Sequence, residues 1–300
     1  MLYPYYPYYD KKIQCDEQPI VFPPQHQDRH PGLEYVMMPR PIAENPYYTG
    51  AGKLQDKIAI ITGGDSGIGR AAAIAFAKEG ADLVIPYFDE HQDAEETKER
   101  IEQLGRSCLL LPGDLKEEPF SQEIVDRTVD TFGQIDILVN NIADQYAQDS
   151  ILDITSEQLD FTFRTNVYSY FYMTKAVLPH LQAGAAIINT TSLTSYKGNK
   201  VLIDYSASKG AVTTFTRSLA MSLVDHGIRV NGVSPGPIWT PLIPSSFPAE
   251  DVSTFGAGTP MKRPGQPFEL APAYVYLASA DSGYVTGQIL HVNGGEIVGS

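Results

Sequence analysis

The stretch Lys57-Ile-Ala-Ile-Ile-Thr-Gly-Gly-Asp-Ser-Gly-Ile-Gly-Arg-Ala-Ala-Ala-Ile-Ala-Phe-Ala-Lys-Glu-Gly80 decides the fold. Its first residues are a short apolar run, the composition of a strand buried on both faces. Glycines follow at 63, 64, 67 and 69, and Ile68, Ala72, Ala75 and Phe76 then recur at helical spacing. Strand, glycine turn and helix in that order put free N–H groups and the positive end of a helix dipole beside a strand terminus, where a phosphate can approach. The spacing Gly63-x3-Gly67-x-Gly69 is neither G-x-G-x-x-G nor a P-loop, because no Lys-Ser/Thr follows. Ile68 also stands where a G-x-S-x-G nucleophile elbow needs its last glycine.

The same alternation continues outward. Strands are expected at Ala81–Tyr87, Cys108–Leu111, Asp136–Asn140, Ala186–Thr190, Ile228–Val233 and Ile289–Val292. Helices are expected at His91–Leu104, Glu117–Phe132, Ser156–Leu181, Tyr205–His226 and Phe268–Ser279. Leu159, Phe163, Val167, Tyr170, Phe171 and Val177 should share one side of the long helix. Apolar strands alternating with amphipathic helices predict an α/β protein with one doubly wound, mostly parallel sheet. Such sheets bind ligands beyond the carboxyl ends of their strands.

Residues 1–53 differ in character. They hold 9 of the 22 prolines and 8 of the 18 tyrosines, which excludes a helix or central strand and leaves a flexible leader or an extended arm on the body. Residues 54–300 form the expected catalytic domain, with a Pro/Ser/Gly-rich segment, 238–267, as a substrate lid. Trp239, Ile243 and Phe247 either line that lid or pack on the body, and Tyr146, Thr194 and Tyr196 are further wall candidates. His26 and His30 are four apart, but on a Pro-rich segment that spacing defines no common face, so no metal site is expected.

Composition narrows the function classes. The 300 residues carry a net charge of −14, which disfavours a nucleic-acid partner. No apolar stretch approaches the ~20 residues of a membrane span, and the amino terminus lacks the regions of a signal peptide. Two cysteines, Cys15 and Cys108, make no disulfide framework, which suits a reducing, cytoplasmic setting.

Tyr205-Ser-Ala-Ser-Lys209 opens the helix after the fifth strand of the alternation. Four-residue spacing puts both side chains on one face, where an ammonium can lower a phenol by roughly 1–3 pH units and make it a general acid–base. The chain contains three Tyr/Lys pairs so spaced, and context separates them. Tyr8/Lys12 lies in the Pro-rich leader and Tyr196/Lys200 straddles Gly198 in a loop, whereas Tyr205/Lys209 stands at the ligand edge, after the Ser192 hydroxyl.

With these residues in place the sequence closely resembles the short-chain dehydrogenases/reductases from about Leu54 to Ile297. The resemblance rests on Thr62-Gly-x3-Gly67-x-Gly69, Asp114, Asn140-Asn141, Asn166, Ser192, Tyr205-x3-Lys209 and Pro235-Gly236, in that order. The leader also resembles that of a bacterial subgroup of the family. A Rossmann-like sheet of about seven strands is implied. So is an alcohol/carbonyl oxidoreductase using NAD or NADP, in which Tyr205 exchanges a proton with the substrate oxygen. Lys209 would tune it and hold the nicotinamide ribose, Ser192 would orient the substrate, and Asn166 would hold a relay water. Thr62, Gly63, Asp65, Ser66, Gly67, Ile68 and Gly69 would line the cofactor cleft. Tyr87, Phe88, Asp114, Leu115, Asn140, Ile142 and Ala143 would surround the adenosine side, and Pro235, Gly236, Ile238 and Thr240 the nicotinamide. Family members commonly read Asn-Asn-Ala-Gly after the fourth strand, where this chain has Asn140-Asn141-Ile142-Ala143. The acidic residues Asp89, Glu90, Asp93, Glu95 and Glu96 oppose a 2′-phosphate and tilt the expectation to NAD. A homotetramer is implied by the long helices, and an enoyl reductase is disfavoured because those relatives space Tyr and Lys more widely. The rival to an enzyme is a catalytically silent nucleotide-binding or structural protein on the same fold.

Overall fold

The computed structural model describes residues 11–13, 17–19 and 21–299. Tyr8 and Cys15 lie outside the described residues. Strands β1 (Lys11–Ile13) and β2 (Glu17–Pro19) pair antiparallel with each other. The main sheet has seven strands: β3 (Ile58–Ile61), β4 (Asp82–Tyr87), β5 (Cys108–Pro112), β6 (Ile137–Asn140), β7 (Ala186–Thr190), β8 (Arg229–Pro235) and β9 (Ile289–Val292). They run parallel in the order β5-β4-β3-β6-β7-β8-β9. Strand order reverses between β3 and β6, so a crevice opens there at the carboxyl ends.

The pleat divides the core. Ala59 and Ile61 of β3 join one layer, packed on α1 (Gly67–Lys78), α2 (His91–Gln103) and the late helix that contains Tyr274, while Ile60 joins the layer on α3 (Glu118–Phe132). Ile60 and Ile61 are fully buried, each worth about 1.5–3 kcal/mol. The alanines of α1 let that helix close tightly on the sheet.

The long helix departs from its expected form. α4 (Ser156–Phe163) and α5 (Ser169–Val177) are joined by a π-helical turn at Arg164–Tyr168. One extra residue in a turn rotates everything beyond it by about 100°. Val167, Tyr170 and Val177 are therefore buried while Leu159 and Phe171 stay exposed, against the single stripe expected. Next come α6 (Thr194–Lys197), ended by Gly198, and α7 (Ile203–Leu223), which starts two residues before Tyr205. Segment 238–267 contains α8 (Leu242–Ser246) and α9 (Ala249–Ser253), and α10 (Ala271–Ala278) follows it.

Residues 21–53 lie along the body without helix or strand. Phe22 stacks on Trp239 with centroids 3.9 Å apart, and Met37, Ile243 and Val252 complete that small core. Trp239 is buried and donates its Nε1–H to the Pro39 carbonyl at 2.9 Å, so it packs on the arm rather than lining a substrate wall. Glu34 is buried as well. Its Oε2 accepts from the Gly67 N–H at 2.6 Å, and its Oε1 from Arg70 Nη1 at 2.7 Å.

Candidate active site

The glycine turn is shaped by sterics. Gly63 and Gly67 adopt φ of +65° and +52°, where side chains are strained. A Cβ on Gly69 would meet the Gly63 carbonyl oxygen at 2.0 Å, so the first helical turn can close on the loop only without one. Ile142 sits over Gly63, its Cγ2 3.1 Å from where a Cβ would be.

Thr62 ties this loop to the next. Its Oγ1 accepts from the backbone N–H of Asn141 at 2.8 Å and of Ile142 at 3.3 Å. Asn140 stays inside the sheet, where its Nδ2 donates to Asn189 Oδ1 across the β6–β7 pair at 2.9 Å.

Tyr205 and Lys209 project from successive turns of α7. Asp204 Oδ1 accepts the Tyr205 N–H at 2.8 Å and fixes the helix start. The Ser192 hydroxyl, just beyond β7, stands near enough to the Tyr205 phenol to favour its charged form, and Ser192 Oγ accepts from the Thr194 N–H at 3.2 Å. Lys209 Nζ donates to the Thr190 carbonyl at 3.0 Å and to the Tyr170 hydroxyl at 3.2 Å, and lies 5.9 Å from the Tyr205 ring centroid.

The electrostatics correct one expectation. Burial pushes the Tyr205 phenol up to about 12, with the Ser192 hydroxyl acting the other way, and pushes the Lys209 ammonium down to about 7. Lys209 therefore does not draw the phenol below its ordinary value here. The ammonium is itself desolvated and directed at neutral oxygens.

A cavity of about 590 Å³ spans the carboxyl ends of the strands. Gly63, Asp65, Ser66, Gly67 and Ile68 line it from the loop, and Tyr87, Phe88, Asp114 and Leu115 from β4 and β5. Ile142, Ala143, Ser192, Tyr205 and Lys209 line its centre, with Pro235, Gly236, Ile238 and Thr240 from beyond β8. Four expected residues do not reach it. Thr62 and Gly69 shape the loop, Asn140 bonds within the sheet, and Asn166 is buried in the π turn. Asn166 Oδ1 accepts the Asp144 N–H at 2.8 Å, and its Nδ2 donates to the Asp144 carbonyl at 2.8 Å and to Ser208 Oγ at 3.1 Å, so both side-chain N–H groups are engaged by protein. Tyr146, Thr194, Ile243 and Phe247 join the wall, whereas Tyr196 and Trp239 do not.

Sequence reasoning missed His30, Pro31 and Gly32 of the arm, and Lys116 and Asp144. Lys116 and Asp144 follow strand ends and so carried a positional signal; the arm residues carried none. The acidic stretch also changes meaning. Asp89 pairs with Arg29, Glu96 with Arg40, and Asp93 accepts the backbone N–H groups of Glu34 and Tyr35 at 2.7 and 3.0 Å. Of those five acids Glu90 alone lines the cavity.

The family model described as enoyl-(acyl carrier protein) reductase matches residues 63–296. The chain belongs to the short-chain dehydrogenase/reductase family. It is 64% identical to a Bacillus subtilis (strain 168) protein called "Uncharacterized oxidoreductase YhdF", over 92% of this chain and 95% of that one. It is 50% identical to the glucose and ribitol dehydrogenase of Daucus carota, over 92% and 97% of the two chains. The crystal structure of a short chain dehydrogenase from Burkholderia cenocepacia J2315 in complex with NADP superposes with a TM-score of 0.76 at 30% identity, covering 81% of this chain and 98% of that one. The chain is an oxidoreductase of this family, and its single seven-stranded parallel sheet is the Rossmann-like sheet that the sequence predicts.

Proposed function

We propose that the protein interconverts an alcohol and an aldehyde or ketone with a nicotinamide dinucleotide, using Tyr205 as the general acid–base. One observation carries the reading: Ser192, Tyr205 and Lys209 meet in the same cavity as the glycine turn. The cradle fits a dinucleotide, because Gly63, Ser66, Gly67 and Ile68 line the cavity where the backbone N–H groups of α1 begin. Gly63, Ser66, Gly67 and Ile68 would hold its phosphates, Asp114 its adenine edge, and Lys209 its nicotinamide ribose. The bound cofactor supplies the hydride.

The chain's own groups manage the proton. With its phenol near 12, Tyr205 keeps its proton at neutral pH and can give it to a carbonyl oxygen held beside Ser192. Oxidation needs the phenolate, which the neighbouring Ser192 hydroxyl favours. Asn166 contributes by clamping the Asp144 main chain to α7.

The acidic stretch after Phe88 does not favour NAD over NADP. Its acidic residues are mostly engaged by the arm, and the Burkholderia relative is an NADP complex. The relative named for glucose and ribitol supports a CH–OH substrate, and the four-residue Tyr205–Lys209 spacing favours this chemistry over enoyl reduction. A panel of alcohols, carbonyls and an enoyl thioester, run with both nicotinamides, tests it. Tyr205→Phe should lower kcat by about 10²–10⁴-fold while cofactor binding persists. Cofactor binding with no turnover by either protein would favour the silent nucleotide-binding reading.

A further inference from the structure

The proton chemistry uses none of the side chains that the arm sends into the cavity. His30 lines it on the same wall as Asp144 and Tyr146. The imidazole stacks on the Tyr146 ring with centroids 4.4 Å apart, and its Nδ1 lies 2.7 Å from Asp144 Oδ1. The other carboxylate oxygen of Asp144 accepts from the Tyr146 hydroxyl at 3.3 Å. In the neutral ring a carboxylate acceptor places the proton on Nδ1 and leaves Nε2 as an acceptor. Among the described residues nothing hydrogen-bonds Nε2, although the side chain is only 20% exposed.

The ring is also fixed relative to the reacting centre. Asn166 grips both backbone groups of Asp144 and reaches Ser208 Oγ, and Ser208 Oγ donates to the Tyr205 carbonyl at 2.7 Å. The cavity thus has two polar poles, Ser192/Tyr205 and His30/Asp144, held at a set separation. A monohydric alcohol satisfies one pole and leaves the second imidazole nitrogen unpaired, which costs binding. A ligand with several hydroxyls satisfies both.

We propose that His30 is a substrate-binding residue, which accepts a hydrogen bond from a second hydroxyl of a polyol or sugar whose reacting carbon lies at Ser192 and Tyr205. The inference rests on the oxidoreductase reading and adds to it the substrate class and a residue outside the family's motifs.

The test uses full-length protein with NADP bound. Calorimetry follows a panel of polyols and sugars led by ribitol, with cyclohexanol as the monohydric control, on a Tyr205→Phe background where turnover cannot interfere. His30→Phe keeps the stack on Tyr146 and removes the acceptor. It should weaken polyol binding about tenfold and leave cyclohexanol and cofactor affinity unchanged. His30→Gln, which restores an acceptor oxygen, should recover part of the loss. With Tyr205 present, His30→Phe should raise KM for polyols with kcat within about twofold. No polyol binding by the His30 parent, or an equal effect on cyclohexanol, overturns the assignment. If neither the parent nor Tyr205→Phe turns over any substrate although cofactor binds, the oxidoreductase reading fails instead, and the calorimetry still judges His30 separately.

Discussion

Lys209 is a fully buried amine whose ammonium is held down by desolvation rather than by a neighbouring cation. Its ordinary value of 10.5 falls to about 7 in the fold, so between those limits the unfolded chain binds more protons than the folded one. Stability from this group therefore rises with pH through that window, and its destabilising effect is complete below pH 7. Lys209→Met removes the penalty and two hydrogen bonds together. In urea melts without cofactor the variant should exceed the parent by about 2 kcal/mol at pH 7, and the difference should shrink towards pH 10. A gap that widens with pH would contradict the buried-cation account. The same low polarity keeps the Tyr205 proton in place at neutral pH.

At the level of elements, the junction between arm and glycine turn rests on Glu34. Its carboxylate takes the N–H of Gly67 at the start of α1 and the guanidinium of Arg70, which also bonds the Asp93 carbonyl at 2.6 Å. Removing one member of a buried ion pair leaves the other desolvated and unpaired. Glu34→Ala should cost about 3 kcal/mol, read as a lowered melting temperature, and should weaken cofactor affinity because Gly67 lies in the cradle. Glu34→Gln, still able to accept from Gly67, should lose less. Equal melting of all three proteins would show that the contact contributes nothing. The π turn at Arg164–Tyr168 is the second element of consequence, because it turns Asn166 inward onto Asp144.

For the whole molecule, arm and segment 238–267 share one small core through Phe22, Met37 and Trp239. Deleting residues 1–50 would expose Trp239 and strip His30 and Glu34 from the site. The truncated protein should melt well below the parent, and unchanged melting and sedimentation would refute an integral arm. Leu159, Tyr168 and Phe171 remain exposed on the long helix. Such a patch suits the contact between copies expected of a homotetramer. Phe171→Glu should shift sedimentation to smaller species, whereas an unaltered profile would place any interface elsewhere.

Much of this was legible along the chain. Each strand of the seven-stranded sheet reads as an apolar run, and the glycine turn and the Tyr205–Lys209 pair declare themselves by spacing, because local sterics and helical periodicity act between near neighbours. The π turn left no such mark, and the stripe from Leu159 to Phe171 misled for that reason. The roles of Trp239, His30 and the acids after Phe88 were equally hidden, since each depends on a partner far away in sequence: Pro39, Asp144 and the arm's arginines. By itself the sequence determined the sheet, the glycine turn and the Tyr205–Lys209 pair at the start of a helix. Only the tertiary structure decided which charges face the cavity and how acidic the phenol is, because burial and long-range pairing set the cost of a charge and neither is a property of neighbouring residues.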